Sequence, residues 1–178
     1  MDSILKKCLL LALLSGASFI VKAQGFGPDP GMKQINFGLG ASAYGVPVYF
    51  GMDFGITDKI TIGPRISYRS YSDRYRFIGN SYKVRYSVTN ISFRGDYHFG
   101  NHIDGLPGEL DLYGGLSVGY TIWSDNYSGN DDFDLEESKA FIGVQAGARW
   151  YFHPNWAANA EVSGSSLSGL EVGLSYKF

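Results

Sequence analysis

Three histidines, His98, His102 and His153, are the side chains best suited by type to bind a metal or move a proton. Their spacing matches no zinc motif. A hydrolase would need a serine, a histidine and a carboxylate converging at one place. Strand threading puts all three histidines at the end of the molecule away from its long loops, His98 on a lumen face near the rim and the other two in turns, and they read as surface or rim residues. No catalytic set is assigned. Asp131, Asp132 and Asp134 are hard oxygen donors that could attract Ca²⁺, but they lack the twelve-residue EF-hand pattern, so neither metal nor cofactor is assigned. The remaining chemistry is charge. Arg65, Arg94 and Arg149 nearly balance Asp53, Asp96, Glu161 and Glu171. Such groups must pair if buried together, because an isolated buried charge is strongly disfavoured. A second set, Arg74, Tyr75, Arg76, Tyr82 and Arg85, joins cations to aromatic rings, the usual anchors of a contact surface.

The elements that must position these residues are strands. Composition already narrows the class: 178 residues, 44% hydrophobic, 18% charged and a net charge of -2 exclude a disordered chain and give no basic footprint for nucleic acid. No apolar run reaches the roughly 18 residues that a spanning helix requires. Residues 1–23 read as a cleaved secretory signal, with Lys6 and Lys7 before an apolar stretch and Val21-Lys22-Ala23 as the cleavage box. Cleavage would remove Cys8, the one cysteine, and leave a net charge of -4. Cys8 precedes the apolar stretch, whereas a lipidated cysteine would follow it. Residues 24–32 form a Gly/Pro-rich lead-in, and residues 33–178 are expected to be a single barrel.

Across 33–178 the apolar period is two, which marks strands with unlike faces. Ile35, Phe37 and Leu39 alternate with Asn36 and Gly38; Val48, Phe50, Met52 and Phe54 with Tyr49, Gly51 and Asp53. Six further segments follow the same rule, the seventh, around Ala158 and Ala160, being weakest. Pro64 predicts a bulge or local defect in the third segment. In the fourth, Val84, Tyr86 and Val88 run out of step with Ile91, which predicts a bulge near Thr89 or the end of the buried region.

Alternation alone does not say which face is wet. Three features favour an apolar face turned to lipid. The polar faces are rich in glycine, which suits the crowded inside of a small barrel. Aromatic residues gather at the segment ends, with Tyr97, Phe99, Trp150, Phe152, Trp156, Tyr176 and Phe178 at one rim. Tyr44, Tyr68, Tyr71, Tyr120 and Trp123 lie at the other, as two interfacial girdles. The segments are also about the 9–11 residues that a tilted membrane strand needs. Three short or moderate turns lie at one end. The long loops Ser70 to Lys83 and Asp125 to Lys139 lie at the other, as in outer-membrane barrels.

The signal ending Val21-Lys22-Ala23 before Gln24, the strand Phe50-Gly51-Met52-Asp53-Phe54-Gly55 and the terminal Leu174-Ser175-Tyr176-Lys177-Phe178 resemble the small outer-membrane β-barrel proteins common in the Bacteroidota. The resemblance implies an all-β, eight-stranded antiparallel up-and-down transmembrane barrel in the cell outer membrane. It implies insertion by the outer-membrane assembly machinery, with Tyr176 and Phe178 in the insertion signal. The expected role is non-enzymatic: a monomer with a closed, salt-bridged lumen and two long surface loops, structural or surface-interacting. Its expected partners are outer-membrane lipid including lipopolysaccharide and an unknown surface partner, with no nucleic acid. Two alternatives stand beside it: a narrow porin-like pore for small solutes, and a soluble lipocalin-like periplasmic barrel holding an apolar ligand.

Overall fold

A computed structural model describes residues 26–42, 45–77, 80–125, 138–164 and 167–178, without the side chains of 73–77, 80–85, 101 and 125. Eight strands form one closed antiparallel barrel in sequence order. They are β1 (Lys33–Ala41), β2 (Val48–Gly55), β3 (Ile60–Phe77), β4 (Asn80–His98), β5 (Leu110–Asp125), β6 (Lys139–His153), β7 (Trp156–Gly164) and β8 (Leu170–Lys177). Closure comes from β8 pairing with β1, where Lys177 meets Gln34 and Leu170 meets Ala41. Within the barrel wall no sheet edge is left open.

The register fixes the shape. Partners can be followed round the barrel from Lys33 through Phe54, Ile62, Gly95, Leu116 and Val144 to Gly164. Stepping back two residues to Val162, the path continues through Leu170 to Ala41, eight residues beyond its start, for a total stagger of ten. With a rise of about 3.3 Å per residue and strands about 4.8 Å apart, that stagger over eight strands tilts them by about 41° and sets a backbone radius of about 8 Å. Such a cylinder has room for side chains and little else.

The expected inversion of faces is present. Leu116 is 62% exposed and Ile142 76%, while Asp53 and Asp96 are each 2% exposed. Phe37, Phe50, Ile66, Ile91, Phe93 and Val172 also stand outside. The apolar rows therefore face away from the axis and the ionised groups lie within. This excludes the lipocalin-like alternative, whose lumen would have to be apolar.

Two interior glycine sites explain the glycine-rich polar faces. Tyr49 and Tyr113 lie across the lumen and need bare backbone beneath them. A Cβ on Gly38 or Gly173 would meet the Tyr49 hydroxyl, and one on Gly147 would run into the Tyr113 phenol. Gly147→Val is accordingly expected to destabilise the barrel by about 1–3 kcal/mol through overpacking. Gly169→Ala, with nothing within 4 Å of the added carbon, should leave the urea midpoint unchanged. Equal midpoints for both variants would refute the account.

Three local expectations need correction or refinement. At Pro64 there is no register shift: the proline pairs with Phe93, and only the β2–β3 ladder is interrupted, at Met52 and Asp53. This is a local defect, as a missing N–H requires. Near Thr89 there is no bulge, because β3 and β4 stay in one register from Ile60↔Tyr97 to Phe77↔Asn80. Val88 points inward and is fully buried. What changes there is which face carries the apolar residues. Ser70 to Lys83 is also not a loop: β3 and β4 run 18 and 19 residues and carry the ladder beyond the other strands as a ribbon. Tyr71, expected in the outer girdle, stacks instead on Tyr86 with ring centroids 5.3 Å apart, and Trp123 shares the inward phase of Tyr113. Tyr44 lies outside the described residues.

Candidate functional site

Inward positions recur every second residue, so each strand delivers its polar set to one cylinder. The end holding the start of β1 and the finish of β8 is called here the near end. There the lead-in segment turns under the barrel. Phe26 N–H donates to the Gly108 carbonyl at 3.2 Å, and its ring stacks on Tyr151 with centroids 5.0 Å apart. The Lys177 ammonium lies 5.3 Å from the centre of the same Tyr151 ring. Tyr151 donates to Gln34 Oε1 at 2.6 Å, Gln34 Nε2 to Asn36 Oδ1 at 2.9 Å, and Asn36 Nδ2 to Asp53 Oδ2 at 2.9 Å. A continuous polar chain thus leads from the near mouth to the first ion pair, Arg149 Nη2 to Asp53 at 2.5 Å.

The centre of the lumen is a knot of charges. Arg94 forks twice. Nε and Nη2 reach the two Asp96 oxygens at 2.7 and 3.1 Å, while Nη1 and Nη2 reach Glu161 at 3.2 and 2.6 Å. Paired parallel N–H donors on a carboxylate are the strongest and most directional ion pairs that proteins make. Glu161 also accepts from Tyr113 at 2.9 Å and from Arg65 at 3.1 Å, and Arg65 bridges onward to Glu171. Gln145 Nε2 completes Asp96 at 2.9 Å. Aromatic faces cover the guanidinium groups: Arg65 lies 4.0 Å from the Tyr49 ring centre and Arg149 4.4 Å from that of Tyr113. Cation–π contact replaces hydration where no further carboxylate is available.

All seven charged residues expected in the lumen lie there, and they join in two groups. Arg65, Arg94, Asp96, Glu161 and Glu171 form one network; Arg149 and Asp53 form the other pair. Sequence reasoning left Asp111 and His98 out of it. Asp111 Oδ2 is 3.6 Å from Arg149 Nη1, and both its oxygens lie 2.9 Å from His98 Nδ1. The Asp111 contact places a proton on Nδ1, and Nε2 faces the Thr61 hydroxyl at 2.9 Å. His98 thus lies on the lumen face expected of it, but at 2% exposure it is a buried, hydrogen-bonded residue and not a surface or rim histidine. Its strand phase held the signal, since His98 continues the inward row of Asn90, Arg94 and Asp96. His102 and His153 are exposed.

Small cavities flank the knot. One of about 110 Å³ lies at the near end between Pro28, Asp29, Asp58, Lys59, His98 and His102. Another, about 30 Å³, lies on the far side, against Arg65, Arg94, Asn90, Ser92, Ser117 and Glu171. A third, of about 10 Å³, lies among Tyr49, Arg94, Tyr113, Arg149 and Asn159. The other ring nitrogen of His98 meets the Thr61 hydroxyl, so Thr61, His98 and Asp111 form one hydrogen-bonded series in which all three groups are buried.

The second candidate set, Arg74, Tyr75, Arg76, Tyr82 and Arg85, falls on the β3–β4 ribbon, where the backbone is described and these side chains are not. Asp131, Asp132 and Asp134 lie outside the described residues. At the near end Tyr176 lies 4.9 Å from Trp156 and 6.1 Å from the exposed Phe178, ring centre to ring centre.

A closed eight-stranded barrel with lipid-type side chains outside and paired charges within is a small outer-membrane barrel. A family model described as the outer membrane protein beta-barrel domain matches residues 8–178, and the chain belongs to that family. Among solved structures, the outer membrane protein OprG of Pseudomonas aeruginosa is similar with a TM-score of 0.60. It is 14% identical, over 86% of this chain and 98% of that one. A de novo designed transmembrane β-barrel is similar with a TM-score of 0.50 at 17% identity, over 85% of this chain and 99% of its own. The N-terminal β-barrel domain of Pseudomonas aeruginosa OprF shows 21% identity over 84% of this chain and 98% of that domain, with a TM-score of 0.47. At these identities the likeness speaks for the fold. A search of curated protein sequences found no match.

Proposed function

We propose that this outer-membrane protein is a non-enzymatic, monomeric barrel with a stoppered lumen that acts at the cell surface through its protruding β3–β4 ribbon. The observation that carries the reading is the double fork of Arg94 on Asp96 and Glu161 at the centre of the barrel. A solute pathway would have to displace four charge-assisted hydrogen bonds in a lumen about 8 Å in backbone radius. In this reading the near end faces the periplasm, and Tyr176 and Phe178 form the aromatic finish recognised during assembly. The ribbon is the external contact element, with Arg74, Tyr75, Arg76, Tyr82 and Arg85 its contact residues.

Purified protein in planar lipid bilayers is expected to give no resolved channel events at high salt. Steady unitary conductance from the wild-type chain would replace this reading with the narrow pore. Retention of the protein in membranes after carbonate washing supplies an independent check on insertion.

A further inference from the structure

Five buried side-chain nitrogen or oxygen atoms have no hydrogen-bond partner among the described residues. Two belong to Arg149, whose guanidinium lies against the Tyr113 ring on the near side of the knot. The other three, Arg69 Nε, Asn90 Oδ1 and Trp123 Nε1, belong to inward positions on the far side, close together in the register. Asn90 pairs with Ser67 on β3 and Thr121 on β5. Two residues further out, Val88 pairs with Arg69 and Trp123. Asn90 is 5% exposed and lines the cavity of about 30 Å³ on that side of the knot. Buried polar atoms are nearly always bonded, so three in one place mark a cup whose partner the barrel itself does not supply.

The lining selects the ligand. Charge in the floor of the cup is already neutralised, because Arg65 is held by Glu161 and Glu171 and Arg94 by Asp96 and Glu161. An added anion would meet those carboxylates, and an added cation those guanidinium groups. The wall above is neutral, with Ser67, Ser92 and Ser117 around Asn90. It also holds one apolar surface: the Phe141 ring lies over Gly119, where a Cβ would come within 2.7 Å of it. At the brim Arg69 Nη1 donates to Ser42 Oγ at 3.1 Å and to the Leu167 carbonyl at 3.2 Å, which fixes the side chain and leaves Nε over. The unmet atoms are thus two donors and one acceptor. A hydroxyl serves either kind, whereas an ionised carboxylate only accepts and an ammonium only donates. Phe141 gives the C–H face of a sugar ring an apolar neighbour. We infer that this cup is a subsite for a neutral saccharide, which enters by the far mouth and seats one hydroxyl-bearing edge against Asn90. A cavity of about 30 Å³ takes that edge and not a whole ring, so a terminal sugar or a free monosaccharide fits it. The inference goes beyond the surface-contact reading, which concerns the ribbon, and does not depend on it.

The test uses the full protein in phosphocholine micelles, which carry no sugar, with binding followed by ligand NMR. The probes are the methyl glycosides of glucose, galactose, mannose and N-acetylglucosamine, with glucuronate and glucosamine as charged counterparts. At least one glycoside is expected to bind saturably and about tenfold more tightly than either charged sugar. Asn90→Leu keeps the bulk and removes the acceptor; it should weaken binding about fivefold, the loss of one neutral hydrogen bond. Trp123→Phe keeps an aromatic ring, deletes the donor and should weaken binding by a similar factor. Both variants should keep the heat-dependent gel shift of a folded barrel, and if Asn90→Leu does not fold, Trp123→Phe decides the matter alone. Lys33→Gln, at the near end, should change nothing. Absence of saturable binding by all four glycosides overturns the proposal and leaves water as the partner of these atoms. Equal binding of the charged sugars overturns it too, as does binding that the folded variants leave intact. Channel currents in planar bilayers would remove the closed-lumen reading, while the variants in micelles would still decide this one.

Discussion

Replacement of Arg94 by alanine is expected to destabilise the barrel by about 3–5 kcal/mol, the usual consequence of stranding buried carboxylates. Arg94 is 6% exposed and holds Asp96 and Glu161 with four hydrogen bonds between 2.6 and 3.2 Å. After its removal Asp96 keeps Gln145, and Glu161 keeps Tyr113 and Arg65. None of these restores a guanidinium fork to Asp96, so most of the loss should fall there. Adding Asp96→Asn to Arg94→Ala removes the stranded charge and should recover part of the stability, a non-additive result that only directly coupled residues give. Urea unfolding in micelles measures both variants. A loss below about 1 kcal/mol for Arg94→Ala would show that water enters the knot freely and that the lumen is not stoppered.

Leu116→Arg should destabilise by about 2–4 kcal/mol, the range for a cation placed at the bilayer midplane on the lipid face of a barrel. Leu116 is 62% exposed midway along the outward row from Leu110 to Ile122, so lipid is its only neighbour on that side. The neighbouring Ser117 faces the lumen cavity. Ser117→Ala should change stability by no more than about 0.5 kcal/mol. The pair of variants asks one question of adjacent residues on opposite faces. A tolerated arginine at 116 would contradict the orientation of the whole wall.

Faces were legible from sequence because a period of two needs only neighbouring residues to declare itself. Asp53, Arg65, Arg94, Asp96, Arg149, Glu161 and Glu171 could all be assigned to the interior on that ground. Their partners could not. Arg65 on β3 meets Glu161 on β7 and Glu171 on β8, a choice set by the stagger of the barrel, which no local pattern encodes. His98 and Asp111 escaped for a related reason: they are separated by a turn, and only the β4–β5 pairing of His98 with Tyr113 brings the rows together. The ribbon misled in a more informative way. Val84, Tyr86 and Val88 broke the alternation of β4 without breaking its ladder, because the surroundings changed from lipid to water while the backbone continued unaltered. A reversal of hydrophobic phase with unchanged pairing marks where the membrane stops.

The cross-lumen clamp has a bearing on biogenesis. Two of the three guanidinium groups come from β3 and β4, but Glu161 and Glu171 belong to β7 and β8, the strands synthesised last. A half-inserted chain would therefore hold Arg65 without its carboxylates and Arg94 with Asp96 alone, beside open water, with less to gain from drying its channel. Dehydration of the bore must coincide with the β8-to-β1 seam zipping shut, which makes insertion a late, concerted event in place of a strand-by-strand accumulation of stability.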